Sequence, residues 1–352
     1  MKTKVRNSCL LFLTACIWGS SFVAQSVGMD YIGPYTFNCL RFLIGSLVLL
    51  PVIFFSRHRK KNQKDRSKDR TLQKKEMLCG GIVCGVILCI ASTLQQIGII
   101  YTTAGKAGFL TAMYIVLVPV LGLFLKRKAG LQLWISVGLT LIGLYLLCMK
   151  GAFSLNGGDV LLILCAVGVS VHIMVVDYFS PKMDGTILSC IQFLVAGLIS
   201  GIGMLLSEQF DWHMVLLAAK PILYSGVLSC GVGYTLQVIA QKGLNPTVAS
   251  LLMSLESVVS VITGFLVLHE VLSGRELLGC VFMFAAVMSD EENCKGFLER
   301  ALSMKIDHVE ISTEKSIVYH PEYKGVRLDV YAKDEKQTRY NVEMQVERKP
   351  AL

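Results

Sequence analysis

The chain has 352 residues, of which 53% are hydrophobic and only 17% charged, well below the quarter of charged residues usual in soluble domains. That balance excludes an ordinary globular enzyme. The net charge of +9 does not point to a nucleic-acid partner, because Lys and Arg gather in short connections between apolar runs, where they set membrane orientation.

In chain order, Lys2, Lys4 and Arg6 precede an apolar run over 8–27. This imitates a secretory signal, but the run is long enough to span and further spans follow, so it reads as an uncleaved first helix. Crossing about 30 Å of hydrocarbon takes roughly 20 residues of helix. Nine runs satisfy that length: 8–27, 35–55, 77–100, 103–125, 131–149, 158–179, 186–206, 220–240 and 247–268, while a tenth, Leu277 to Met288, is short. With the N-terminus in the cytoplasm, the inner connections hold eighteen basic residues, ten of them between Arg57 and Lys75, and the outer ones hold only Lys106, Lys150, Lys220 and Arg275. This bias places the N-terminus and the C-terminal tail on the cytoplasmic side. The Arg57 to Lys75 stretch lacks interleaved aromatics, so it is an orientation signal in contact with anionic lipid rather than a nucleic-acid patch. Of the twelve cysteines, all but Cys294 lie in apolar runs, with no C-x-x-C and no His at ligand spacing, so neither disulfides nor a metal is expected. No G-x-x-x-x-G-K-[ST] phosphate loop is present, which argues against ATP-driven pumping.

The apolar part repeats itself. Cys39-Leu-Arg-Phe-Leu-Ile-Gly in the second run matches Cys190-Ile-Gln-Phe-Leu-Val-Ala in the seventh, and the same offset of 151 residues lays Leu13 and Ala15 on Leu164 and Ala166. A repeat of five crossings, an odd number, must occur in opposite orientations, the pattern of alternating-access transporters with a site near the midplane.

Several segments then combine: Trp18-Gly-Ser-Ser-Phe-Val-Ala-Gln25, Arg41-Phe-Leu, Gln95-Gln96-Ile-Gly, Tyr101-Thr-Thr-Ala-Gly-Lys-Ala-Gly-Phe109, and Ser254-Leu-Glu-Ser-Val258 followed by His269-Glu270. Over about residues 1–288 the chain resembles bacterial EamA transporters of the drug/metabolite transporter superfamily. The resemblance implies an all-α membrane protein of ten helical segments in two inverted five-helix repeats, 1–149 and 150–288. It further implies an inner-membrane exporter or exchanger of amino acids, drugs or other small metabolites, with sugars and nucleotide sugars as the alternative cargo. The expected partners are a small-molecule substrate, the lipid bilayer and a coupling ion such as a proton, or a counter-substrate; no cofactor and no nucleic acid are expected.

Polar groups at membrane depth cost about 2.5–3.5 kcal/mol when charged, so each invites a reason. Glu256, near the middle of the ninth run, has about Tyr114 as its repeat counterpart; it reads as a protonatable or amine-binding group, or as a neutral carboxyl hydrogen-bonded in the bundle. Arg41, whose repeat partner is Gln192, reads as a clamp for a substrate carboxylate, as a snorkelling side chain, or as a structural partner of Glu256. His172 relays protons or bonds a neighbouring helix. Trp18, Ser21, Gln96 and Tyr114 complete the candidate cavity wall, and Pro119 breaks or bends its helix.

After Ser289 the composition turns soluble. Residues 288–302 read as an amphipathic helix, followed by strand-like runs over His308–Ser312, Gly325–Tyr331 and Tyr340–Val346. Gly325-Val-Arg-Leu-Asp329-Val-Tyr and Asn341-Val-Glu343-Met-Gln345 resemble the start of Rpn-type, PD-(D/E)XK nucleases, whose acidic pair shares a Mg²⁺. Asp329, Glu343 and Gln345 thus form a degenerate nuclease-like motif in a short α+β cytoplasmic fragment over 289–352. With about sixty residues and the later helices and strand of that fold absent, no nuclease activity is expected. The stretch Met283 to Met288 suits both neighbours, so the join is placed there.

Overall fold

The computed structural model describes residues 2–60, 70–102, 104–126, 130–148, 156–242, 244–268 and 273–288, together with strands over 309–311, 316–320, 325–334 and 339–346. The first half supplies α1 (Lys2–Met29), α2 (Pro34–Lys60), α3 (Arg70–Ile100), α4 (Ala104–Thr111), α5 (Tyr114–Phe124) and α6 (Leu131–Cys148). The second supplies α7 (Gly157–Phe179), α8 (Gly185–Ser207), the short α9 (Trp212–Leu217), α10 (Ala219–Leu223), a π-helical segment (Tyr224–Tyr234), α11 (Thr235–Gln241), α12 (Pro246–Met253), α13 (Glu256–Leu268) and α14 (Gly274–Met288).

Among the described residues, eight helical stretches are long and apolar enough to cross a membrane: Arg6–Met29, Pro34–Ser56, Lys75–Ile100, Ala107–Phe124, Gly157–Phe179, Gly185–Ser207, Ala219–Gln241 and Pro246–Thr263. Of the nine runs expected to be long enough to cross, eight are so by length. The apolar core of α6, Leu133–Leu147, is shorter, and α14 has 15 residues, roughly 22 Å of helix. These two short helices pack on each other. A Cβ on Gly143 would collide with the Gly279 carbonyl, and one on Gly279 with Gly143 and Leu147, so this crossing depends on backbone approach that only glycine allows.

Start signals are written locally. Asn156 and Asp159 close a capping box at the start of α7, Asp184 caps α8, and Asn245 caps α12 just ahead of Pro246. The start of α2 is different. Its backbone N–H groups at Tyr35 and Thr36 donate to the carboxylate of Glu208, each at 2.8 Å, and Thr36 Oγ1 donates to the same carboxylate at 2.6 Å. Glu208 stands just past the end of α8, so the second half caps a helix of the first.

Two spans are broken near their middles. Ala112 and Met113 separate α4 from α5, and Ser254 and Leu255 separate α12 from α13. Of the two readings of Pro119, a break is not seen there, since it sits inside α5. At the second break Ser254 Oγ donates to the Leu251 carbonyl at 2.7 Å, drawing that carbonyl out of regular helical pairing.

The most populous of several buried clusters draws on both halves: Leu11 and Ala15 of α1, Tyr114 and Ile115 of α5, Ile173 of α7, Leu251 and Met253 of α12, and Met283 of α14 are buried together. The outer surface is apolar: Phe124 is 82% exposed and Leu206 81%, a distribution that suits lipid rather than water. Packing pairs recur across the halves. The segment Ala219–Gln241 lies on α1 as α3 lies on α7, while α2 meets α8 and α6 meets α14.

The tail forms an antiparallel sheet of β1 (Val309–Ile311), β2 (Ser316–His320), β3 (Gly325–Asp334) and β4 (Arg339–Val346). Long β3 pairs with β1 and β2 along one edge and with β4 along the other. Strand β2 was not anticipated from the sequence; its Ser-Ile-Val-Tyr-His run is short and lies between Glu314-Lys315 and Pro321. The amphipathic helix expected over 288–302 lies, past Met288, outside the described residues.

Candidate functional site: a polar cavity inside the bundle

A cavity of about 50 Å³ lies inside the bundle, room for a few water molecules. Trp18, Ser21 and Gln25 of α1, Arg41 of α2 and Tyr114 of α5 reach it from the first half. His172 of α7, Ser229 and Tyr234 of the π-helical segment, Gln237 of α11 and Glu256 of α13 reach it from the second. Phe22, Leu88, Val169, Ile173 and Met253 supply apolar wall.

The two broken spans aim their second pieces at this cavity. Tyr114 is the first residue of α5 and Glu256 the first of α13, and the Tyr114 hydroxyl donates to Glu256 Oε1 at 3.2 Å. Both side chains are buried, so each is the other's answer to the cost of an unpaired polar group in an apolar interior.

Arg41 is 3% exposed. Its Nη1 donates to Gln25 Oε1 at 2.7 Å, and its guanidinium lies 4.9 Å from the Phe42 ring centre and 5.5 Å from that of Phe37, a cation–π arrangement. Nε makes no hydrogen bond among the described residues. The structure therefore does not show the Arg41–Glu256 pairing considered from the sequence: Glu256 turns to Tyr114 and Arg41 to Gln25. Gln25 is itself held, its Nε2 donating to Ser21 Oγ at 3.2 Å, and Ser21 donates on to Ser229 Oγ at 3.4 Å.

His172 Nε2 meets Gln192 Oε1 of α8 at 3.0 Å and stands edge-on to Tyr234, 6.3 Å between ring centres. Trp18 lies on Tyr234 at 4.5 Å, with its indole N–H donating to the Ser229 carbonyl at 3.4 Å. Gln96, expected in the wall, is turned away: its Nε2 faces Met29 Sδ at 3.4 Å, and the neighbouring Gln95 lines the cavity instead. One residue along a helix rotates a side chain by about 100°, enough to exchange the two. Gln25, Ser229, Tyr234 and Gln237 were not singled out from the sequence, because helix phase decides which of many neutral polar residues face inward.

No group of three or more His, Cys, Asp or Glu residues positioned to hold a metal occurs among the described residues. In the tail, Asp329 of β3 is the register partner of Glu343 of β4, and Gln345 that of Arg327.

Residues 6–149 and 156–289 match the EamA-like transporter family. An "Uncharacterized transporter" of Archaeoglobus fulgidus is 27% identical over 280 residues, 79% of this chain and 83% of its own length. The "Uncharacterized transporter YoaV" of Bacillus subtilis is 23% identical over 77% of this chain and 91% of its own. A solved structure described as "Crystal structure of protein" superposes with a TM-score of 0.65 at 17% identity, covering 84% of this chain and 98% of its own; that likeness concerns the fold alone.

Proposed function

This chain belongs to the EamA-like transporter family, and from that membership we propose that it is a secondary active exporter or exchanger of small metabolites, amino acids and drugs among them, working by alternating access. One observation carries the reading: a buried polar cavity is lined from both matched segments and holds an arginine and a glutamate that do not neutralise each other at contact distance. At its present volume the cavity admits no such cargo, so loading requires the halves to part, as an alternating-access cycle demands. The 151-residue offset and the mirrored packing support two inverted repeats, 1–149 and 150–288, with Tyr114 and Glu256 meeting where the repeats cross. The basic inner connections support a bacterial inner-membrane protein with both the N-terminus and the tail in the cytoplasm.

In this scheme Trp18, Ser21, Arg41, Tyr114, His172 and Glu256 form the path, and Glu256, whose carboxyl meets Tyr114 of the other half, couples cargo movement to a proton or to the cargo's own amine. Glu256→Gln keeps size and hydrogen-bonding capacity but removes the charge, and is expected to abolish flux in proteoliposomes while the protein still expresses and folds. Unchanged flux would remove Glu256 from the mechanism. A sugar or nucleotide-sugar carrier is the competing reading, separated by competition among labelled substrates. The tail lies beyond the matched residues; its Asp329, Glu343 and Gln345 resemble a nuclease motif, and we assign that fragment no activity.

A further inference from the structure

We infer that Arg41 is left without a carboxylate in contact so that an oxyanion on the cargo completes it, with Arg41 as the binding group and Gln25 as the residue that holds Arg41 in place without cancelling its charge. The inference rests on the transport reading above and narrows its cargo to molecules bearing a carboxylate or a phosphate.

Three observations lead there. First, Arg41 is buried, yet among the described residues no carboxylate lies within ion-pairing distance of it. A guanidinium carries five N–H donors in a planar fork, and among the described residues only Nη1 is engaged, at 2.7 Å on Gln25 Oε1. Buried ions are ordinarily paired; the Phe37 and Phe42 faces soften the cost but supply no acceptor oxygen. Second, the unengaged donors belong together. Nε is buried and has no partner among the described residues, and Nε with Nη2 forms the edge of the fork that meets the two oxygens of a carboxylate or phosphate in parallel hydrogen bonds.

Third, the acceptor on Nη1 is an amide where a carboxylate would fit sterically. Gln25 Nε2 donates to Ser21 Oγ at 3.2 Å, which fixes the amide so that its oxygen, not its nitrogen, faces Arg41. A Glu at position 25 would make a closer pair with Arg41 and stabilise the empty bundle. It would also fill the fork's electrostatic need and leave the cargo's anion to compete with an internal one. Glu256 does not play that part, because its Oε1 is taken by Tyr114 and it forms no ion pair with Arg41. Cargo lacking an anionic group offers the free edge of Arg41 at most neutral acceptors, which do not balance its charge. A neutral sugar or a cation would leave the charge as costly bound as unbound.

The test uses the full-length protein reconstituted in liposomes loaded with four groups of compounds: the protein amino acids with short organic acids, glycerol 3-phosphate with AMP, glucose with ribose, and choline with spermidine. Efflux is followed by mass spectrometry against empty liposomes. The wild type is expected to release compounds from the first two groups only, and which of the two identifies the anion as carboxylate or phosphate. Arg41→Gln should release none. Gln25→Glu should raise KM for the released compound by roughly tenfold to a hundredfold, the range of one charge-assisted hydrogen bond, with kcat retained. Gln25→Met, which removes the acceptor without adding a charge, should raise KM less. A purely structural role for Gln25 would make Met at least as harmful as Glu, and that result overturns the inference. Release confined to sugars or cations overturns it while leaving transport standing. No release of any compound contradicts the transport reading itself and the inference with it.

Discussion

Tyr114 and Glu256 each begin the second piece of a broken span, and each satisfies the other. Removing the phenol leaves a buried carboxyl without its donor, which costs about 1–3 kcal/mol. Tyr114→Phe is therefore expected to lower thermal stability in detergent by that order and to reduce flux, whereas Glu256→Gln keeps a hydrogen-bonding partner for Tyr114 and should unfold at nearly the wild-type temperature. Differential scanning of the two variants checks this; equal and large destabilisation of both would mean that Glu256 is a structural carboxyl. Much of this site was legible in the sequence, because Arg41, Glu256 and His172 are ionisable groups within apolar runs, and such residues stand out against a lipid background. Gln25 was not legible. It sits in the segment Trp18 to Gln25 as an unremarkable amide, and only the 2.7 Å bond to Arg41 gives it a role. Gln96 was misplaced for a related reason: two adjacent glutamines offer the same chemistry, and helix phase decides which faces inward.

At the scale of elements, the halves treat equivalent helix starts differently. By the 151-residue offset, Asp184 corresponds to Gly33 and Glu208 to Arg57. Helix α8 is capped from within by Asp184, but α2 has a glycine there and borrows Glu208 from the other half. A Cβ on Gly33 would overlap the Glu208 carboxylate, so the glycine is what admits it. An acidic group at a helix N-terminus contributes about 1 kcal/mol, and here that contribution is available only while the two halves are in contact at this end of the bundle. Glu208→Ala should cost stability of about that size and make a cysteine introduced at Thr36 react faster with a membrane-impermeant maleimide; unchanged reactivity would show that the contact is not broken during the cycle. The α6–α14 crossing makes a second expectation. Gly279→Val would push a branched side chain into Gly143 and Leu147, and is expected to abolish recovery of folded protein by size-exclusion chromatography, while Gly157→Ala, where a Cβ meets nothing, should have little effect.

At the scale of the molecule, eight of the nine long runs reappear as helices able to span, and they were readable because roughly 20-residue apolar runs separated by basic connections leave few alternatives. The breaks near Met113 and Leu255 were not, since hydropathy continues unbroken through both. Nor was β2 of the tail, where short polar-flanked runs carry little periodic signal. Transport by this bundle requires that the cavity between the halves open to each side of the membrane in turn. The direct measurement is the labelling of a single cysteine placed at Ser229, in a variant otherwise free of cysteine, by an impermeant thiol reagent applied to vesicles of each orientation. Alternating access predicts that Ser229→Cys is modified from both sides, with both rates slowed when cargo is present. Modification from one side only, or protection from neither, would contradict it.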